Sequence, residues 1–526
     1  MPALDRRAWL SRMAWAATAA QMPRWAWATA PMRHDPFALG VASGEPLPDS
    51  VVLWTRLLPA PGTAPDDGDA PRWAGPVTVR WEVAHDCRFR QIAQHGTALA
   101  LPELGHSVHV EVQGLAPGRW YHYRFMVGDA VSPPARTRTA PAPHEWPARL
   151  RVVHASCQRW EHGHYAAWRH ACAEQPDLVL FLGDYVYEYA SPPNTAGLAR
   201  THTLPLARSV HDWRDRYALH KSDAALQAAH ACAPWVVTWD DHEVQNDYAG
   251  TTGRGDAGDF LPMRSAAWQA FYEHMPLRAS ALAAAGGSFH TLQLFRRLSW
   301  GRLARLHVLD TRQHRDRQAC RRPGAGAAAV RAAACPELGQ AGRTLLGWTQ
   351  EEWLRHGLAA DAGSAPVRWS VLAQQTLFAP RRYPSGVQSS DSWDGYPAAR
   401  ARLLADLAHA APRNAVLLGG DIHQNYVCNV EGPGGPAPRV LASEFCGTSI
   451  SSRSGTTQDK VDAVRRHNPH VLLARCEERG YCVSDITPTT WQATLRAVRD
   501  PLAADSDAYT LTCFVVEDGR PGPVAA

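Results

Sequence analysis

The feature of this chain that most constrains its fold is a series of short, unbroken apolar runs, each ending in a polar cluster. Leu178-Val179-Leu180-Phe181-Leu182 runs into Gly183-Asp184-Tyr185-Val186-Tyr187-Glu188. Trp235-Val236-Val237-Thr238-Trp239 runs into Asp240-Asp241-His242-Glu243-Val244-Gln245-Asn246-Asp247. Leu150 to Ala155 leads into Ser156-Cys157-Gln158, Arg305 to Leu309 into Asp310-Thr311-Arg312-Gln313, and Ala415 to Leu418 into Gly420-Asp421-Ile422-His423; Trp369-Ser370-Val371-Leu372 completes the set. Runs without alternation are what strands covered on both faces require. Polar groups just past strand ends sit where open α/β sheets build their sites. The expected fold class for this part is α/β.

The chain ahead of it reads differently. Val77-Thr78-Val79-Arg80-Trp81-Glu82-Val83 and His106-Ser107-Val108-His109-Val110-Glu111-Val112 alternate with period two, as half-buried strands do. Leu115-Ala116-Pro117-Gly118 is a turn signal before another aromatic strand, Trp120 to Phe125. Short strands with such punctuation predict a β-sandwich of immunoglobulin or fibronectin type over residues 36–140. Pro133-Pro134 and Pro141-Ala142-Pro143 mark the linker to a domain over 148–520.

Residues 1–30 fit neither pattern. Arg6-Arg7 precedes a weakly apolar Ala- and Trp-rich stretch that ends in the small-x-small sites Ala26-Trp27-Ala28 and Ala28-Thr29-Ala30. That order is that of a signal peptide, and the Arg pair resembles a twin-arginine signal. The alternative is an amphipathic N-terminal helix of the mature protein. Export through the twin-arginine machinery would place the protein in the periplasm or outside the cell, where disulfides persist. Cys320 and Cys335, flanking an Ala/Gly-rich loop, are then either a disulfide or two buried thiols. A net charge of +4 over 526 residues, with the basic residues scattered, implies no nucleic-acid partner. No internal apolar run is long enough for a transmembrane segment.

Each polar cluster alone is weak evidence, because an Asp after a strand is often a helix cap and a Cys there a small buried hydrophobe. Their conjunction is what capping does not produce. Several enzyme classes are disfavoured: there is no Walker loop, no Gly-x-Ser-x-Gly elbow, and no His at zincin spacing after His242-Glu243.

The order of motifs resembles the PhoD-type alkaline phosphatases and phosphodiesterases of the calcineurin-like metallophosphatase superfamily. The likeness includes Phe37-Ala38-Leu39-Gly40-Val41-Ala42-Ser43-Gly44, Val52-Leu53-Trp54-Thr55-Arg56, Trp393-Asp394-Gly395-Tyr396-Pro397 and Glu478-Arg479-Gly480-Tyr481. It implies a four-layer α/β/β/α metallophosphatase domain behind the sandwich. Against the general superfamily pattern, Cys157 stands where the first Asp would be, and Asp421 replaces the first His of the last motif while His423 keeps the second. Asp184 and Tyr187 fill the Gly-Asp-x-x-Tyr motif. The resemblance therefore implies Fe3+ held by Cys157, Asp184, Tyr187 and His423, with Ca2+ held by oxygen donors from Asp184, Asp241, Asn246 and Asp421.

The same resemblance implies a hydrolase of phosphate monoesters and/or diesters, with a phosphate ester as substrate and a metal-bound hydroxide or oxide as nucleophile. In that reading Arg312 grips phosphate oxygens, or is instead a structural ion pair with Asp310. His242 protonates the leaving alkoxide or orients the phosphate, or holds a metal ligand. His162, His164 and His170 are expected at the pocket rim, with metal binding as the alternative. Two rival functions are a phospholipase D-like phosphodiesterase and a catalytically silent binder of phosphate polymers.

Overall fold

The computed structural model describes residues 34–58, 73, 75–255, 257–283, 288–363, 366–433 and 438–526. The expected signal segment, residues 1–30, lies outside the described residues. The chain divides into two compact units: 1–142 with 204–236 and 263–293, and 143–203 with 237–262 and 294–526. The first unit thus gathers helical segments from later in the chain in addition to the 36–140 module. Among the described residues no helix is long and apolar enough to cross a membrane.

In the first unit, Val51–Arg56 pairs antiparallel with Val41–Gly44 on one side and Ser107–Val112 on the other. A second sheet pairs Val77–Ala84 with Ile92–Ala100 and Trp120–Val127, and Trp120–Val127 also pairs with Ala135–Arg138. The two sheets share one apolar core. Val51, Leu53, Val108, Val110 and Val112 come from the first sheet, and Val79, Val83, Tyr121, Tyr123 and Phe125 from the second. This is the sandwich that the period-two alternation encodes, since only every second side chain faces inward. The Leu115–Gly118 turn is pinned by the Tyr121 hydroxyl, which accepts the Ala116 N–H at 2.9 Å.

The strands of the second unit fall into two main sets. One runs in the order Arg520–Ala525, Ala508–Glu517, Thr490–Val498, Gly480–Ile486, Leu150–Ala155, Leu178–Leu182, its last pair parallel. The other runs Arg296–Trp300, Ala304–Val308, Trp369–Ala373, Ala415–Gly419, Val440–Cys446, Asn425–Glu431, Val471–Arg475, with a parallel centre from Ala304–Val308 to Val440–Cys446. The sheets face each other: Trp369 of one lies edge-on to Trp491 of the other at 5.7 Å. Helices cover the outer faces. Trp168, on helix Ala166–Ala173, packs on Phe181 at 6.0 Å. Leu354 and Leu358 of helix Trp348–Ala362, with Leu403 and Leu407 of helix Pro397–Ala410, share a core with Leu372 and Leu417. The result is a helix, sheet, sheet, helix stack, a metallophosphatase-type mixed α/β fold. Leu178–Leu182, Trp369–Ala373 and Ala415–Gly419 are buried at every position, which is why their sequences are apolar without alternation.

Cys320 and Cys335 form a disulfide, so of the two readings of that pair the buried-thiol one is set aside. It closes a loop of 15 residues in the second unit. Chain-entropy arguments value such a closure at about 3 kcal/mol. Replacing both cysteines by Ser is expected to lower the thermal unfolding midpoint, and to open the 320–335 loop to limited proteolysis without disturbing the sandwich.

Candidate metal centre

The strand ends of the second unit converge. Leu150–Ala155 delivers Cys157, Leu178–Leu182 delivers Asp184 and Tyr187, and Ala415–Gly419 delivers Asp421 and His423. Cys157 (φ 59°), Asp184 (φ 57°), Asp421 (φ 66°) and His423 (φ 55°) all have left-handed backbone. For non-glycine residues this costs on the order of 1–2 kcal/mol each, and such strain gathers at functional sites. Gly183 makes the approach possible: its φ is 100°, and a Cβ there would lie 2.5 Å from the backbone nitrogen of Asp240. Gly420 does the same on the other side, where a Cβ would meet Ser156 Oγ at 2.3 Å.

Around Asp184 the donors fall into overlapping sets. One ligand atom each from Cys157, Asp184 and His423 lie within 4.8 Å of one another, as do those of Asp184, Asp241 and His242, of Asp240, Asp241 and Asp421, and of Asp241, Asp247 and Asp391. The Tyr187 hydroxyl donates to Asp184 Oδ2 at 2.9 Å and lies 3.2 Å from His423 Nε2. It also meets Ser452 Oγ at 2.7 Å. His423 is aimed by its Nδ1, which donates to the Arg453 carbonyl at 2.8 Å, and the Arg453 N–H in turn donates to His162 Nδ1 at 3.1 Å. His162 therefore stands behind His423. His170 lies elsewhere, donating from Nε2 to the Ser506 carbonyl.

Whether these residues fit metal ions is answered by their unmet valences. Among the described residues, Asp184 Oδ1, Asp240 Oδ2 and Asp241 Oδ1 are buried and have no hydrogen-bond partner. Buried carboxylate oxygens without a donor are costly, and cations satisfy them. The electrostatics agree. Burial and the neighbouring Asp184 charge push the Cys157 thiol and the Tyr187 phenol well above their ordinary values. Burial raises Asp421 to about 6 against the pull of Arg312, with Asp241 and Asp391 adding to the rise. Asp421 is steadied by Thr376, whose hydroxyl donates to Oδ2 at 2.6 Å. The donor set of thiol, phenol, imidazole and carboxylates matches the chemistry of a transition-metal site beside a hard-cation site.

Two groups hold this arrangement without offering themselves to an ion. Glu243 accepts the backbone N–H of Asp184 at 3.1 Å, of Tyr185 at 2.5 Å and of Asp240 at 2.8 Å. It ties the loops after two strands together, although burial and Asp184 push its pKa up to about 8. Glu188 accepts from His242 Nδ1 at 2.7 Å and from the Asn246 N–H at 2.8 Å. The His242 ring lies on Tyr187 at 4.2 Å. Burial opposes a charge on His242, but Glu188, Asp184 and Asp241 together hold its pKa well above the ordinary histidine value.

Arg312 is placed differently from the sequence expectation. Its side chain is fully buried. Nε donates to Asp240 and Nη1 to Asp391 Oδ2 at 2.8 Å, while Nη2 lies 3.5 Å from Asp241 and 3.8 Å from Asp421. Asp310 is not the ion-pair partner; its Oδ1 accepts the backbone N–H of Arg312 and Gln313, capping the turn. Sequence reasoning passed over Ser452 and Thr376. Ser452 follows the strand Val440–Cys446 in the run Gly447-Thr448-Ser449-Ile450-Ser451-Ser452, but that strand carries Ser443 and Glu444, so no unbroken apolar run marked it.

Strand ends that bring a thiol, a phenol, an imidazole and unsatisfied carboxylates to one point of a stacked α/β domain define a metallophosphatase-type hydrolase. The PhoD-like phosphatase model matches residues 152–495, and the model of its N-terminal domain matches 22–141. Alkaline phosphatase D of Bacillus subtilis (strain 168) is 43% identical over 506 residues, covering 93% of this chain and 82% of that protein. A solved structure of PhoD is similar with a TM-score of 0.86 at 40% identity, covering 94% of this chain and 93% of that one. The chain belongs to the PhoD-like phosphatase family and is an enzyme of the metal-dependent phosphoric ester hydrolase class.

If Glu243 is the strut between the two loops, Glu243→Gln removes one acceptor from a set of buried N–H groups. The expected cost is about 1–3 kcal/mol, read by thermal unfolding, with a matching drop in metal retained through dialysis. Unchanged retention would show that the loops are held by other means.

Proposed function

We propose that the protein is an exported hydrolase of phosphate monoesters and/or diesters, with Fe3+ and Ca2+ as its ions. Cys157, Tyr187, His423 and Asp184 would hold the ferric ion, and Asp184, Asp241, Asn246 and Asp421 the calcium. The observation that carries this reading is the meeting of one soft thiol, one phenol and one imidazole at the carboxylate whose Oδ1 has no partner. When bound, such ions supply Lewis-acid charge to phosphoryl oxygens and activate water for attack.

The chain's own residues do the rest. Tyr187 orients Asp184 through its hydroxyl. Arg312 is a positioning residue: it balances Asp240 and Asp391 so that their neighbours can face the ions. Glu188 takes the His242 Nδ1 proton in a hydrogen bond, which turns Nε2 into the atom that gives a proton to the leaving alkoxide. Burial opposes the charge on the ring, and Glu188, Asp184 and Asp241 favour it. The disulfide supports an oxidising compartment, periplasmic or extracellular. The Arg6-Arg7 pair supports twin-arginine export.

Cys157→Ala is expected to lose iron and its colour by elemental analysis and absorption spectroscopy, and to lose activity on p-nitrophenyl phosphate and bis-p-nitrophenyl phosphate by more than the roughly 10–100-fold typical of residues behind the ligands. Full activity in an iron-free preparation would overturn the assignment. Metal binding must also displace protons from the raised Cys157, Tyr187 and Asp421. Calorimetry in buffers of different ionisation heat should therefore show proton release, and affinity should fall as pH drops through about 6, where Asp421 takes up its proton. Asp421→Asn should flatten that fall.

A further inference from the structure

Arg312 gives Nε to Asp240 and Nη1 to Asp391, and only its buried Nη2 has no hydrogen-bond partner among the described residues, so charge that a substrate carries beyond the cleaved ester calls for a further cation. The second unit contains a cavity of about 560 Å³ walled in part by Arg381, Arg382, Tyr383, Arg400 and His470, a volume suited to a small ligand. A neighbouring cavity of about 450 Å³ reaches Asp247 and Asp391 of the carboxylate cluster, and Tyr383, Val387 and Gln388 line both. The segment 383–388 therefore forms part of the wall of both spaces, and the smaller one is lined by two carboxylates of the cluster.

The charges on the larger cavity are not balanced. Arg400 donates to Asp394 Oδ1, and Asp394 Oδ2 accepts the backbone N–H of Arg381 at 3.1 Å. Glu431 is the remaining carboxylate on the wall. Arg382 is exposed at the rim. The guanidinium of Arg381 makes no hydrogen bond or ion pair among the described residues. Burial works against its charge, and acidic groups around it, Asp394 and Asp421 among them, favour it. His470 adds a hydrogen-bond acceptor: its Nε2 donates to the Pro380 carbonyl at 2.9 Å, leaving Nδ1 buried and unpartnered.

We propose that this cavity is a second anion subsite of the same centre, in which Arg381, with Arg382 at the rim, binds a phosphate group lying beyond the ester that is hydrolysed. The substrate class is then a phosphoester that carries a further phosphate, as in a short phosphodiester-linked oligomer. This deepens, and rests on, the phosphoester reading above. The planar fork of arginine suits a phosphate in this role.

The test compares thymidine 5′-(p-nitrophenyl phosphate) with the same ester bearing a 3′-phosphate, using the metal-loaded full chain. The wild type should favour the 3′-phosphorylated ester in kcat/KM by about tenfold or more. Arg381→Ala should bring that ratio close to one, Arg381→Lys should retain part of it, and the exposed Arg355→Ala should leave it unchanged. No preference in the wild type, or a preference that survives Arg381→Ala, overturns the subsite. Calorimetry with thymidine 3′,5′-bisphosphate and thymidine 5′-phosphate separates this from the activity itself. If neither ester is hydrolysed but the bisphosphate binds more tightly in an Arg381-dependent way, the phosphoester reading fails and the subsite stands. Equal binding of the two overturns the subsite whatever the turnover. Should Arg381→Ala not fold, Arg381→Lys and Arg382→Ala carry the same comparison.

Discussion

Asp184, Asp240, Asp241, Asp391 and Asp421 are crowded into one largely buried space, and that negative charge is the constraint on which the rest of the second unit depends. Like charges at these separations repel by several kcal/mol in a medium of intermediate dielectric. Arg312 answers part of the repulsion by bonding Asp240 and Asp391. It does not reach the unpartnered oxygens of Asp184, Asp240 and Asp241. Multivalent cations close the remaining gap in charge, and they do so at the point where a thiol, a phenol and an imidazole are also aimed.

The fold is arranged to hold that unfavourable assembly together. Apolar strands buried along their whole length anchor each loop from behind. Left-handed backbone at Cys157, Asp184, Asp421 and His423 turns each side chain inward immediately after its strand. Glu243 and Glu188 then bind loop to loop through backbone N–H groups. The buried strands and the Glu243 hydrogen bonds stabilise the chain, whereas the left-handed backbone exchanges some stability for a geometry that an ion can use, which is the usual relation between strain and function.

Much of this was legible in the sequence because the relevant signals are local. A run such as Leu178–Leu182 is apolar at every position because both faces are covered, and the polar residues after it have no place in the core. That pattern is enough to find Cys157, Asp184, Asp241, Asp421 and His423 as candidates. The sandwich was legible through alternation in strands such as Ser107–Val112. The features that the sequence did not show depend on how many neighbours a side chain meets in three dimensions. Arg312 comes after its strand in the right manner for a phosphate clamp, but the carboxylates that claim its fork come from residues 240, 241, 391 and 421. Thr376 and Ser452 act through hydrogen bonds to residues distant in the chain, Asp421 for the first and Tyr187, Arg159 and Cys157 for the second, and nothing in their own segments encodes the partners. The identity of the ions follows from the family resemblance together with the donor set.

A mixed iron and calcium centre is tested most directly by anomalous X-ray scattering from crystals of the protein as purified, collected above and below the iron edge. The expected result is an iron peak within coordination distance of Cys157 Sγ, a Tyr187 oxygen and a His423 nitrogen, next to a lighter cation among the carboxylates. A map with no iron peak there, or with iron bound away from Cys157, would contradict the assignment.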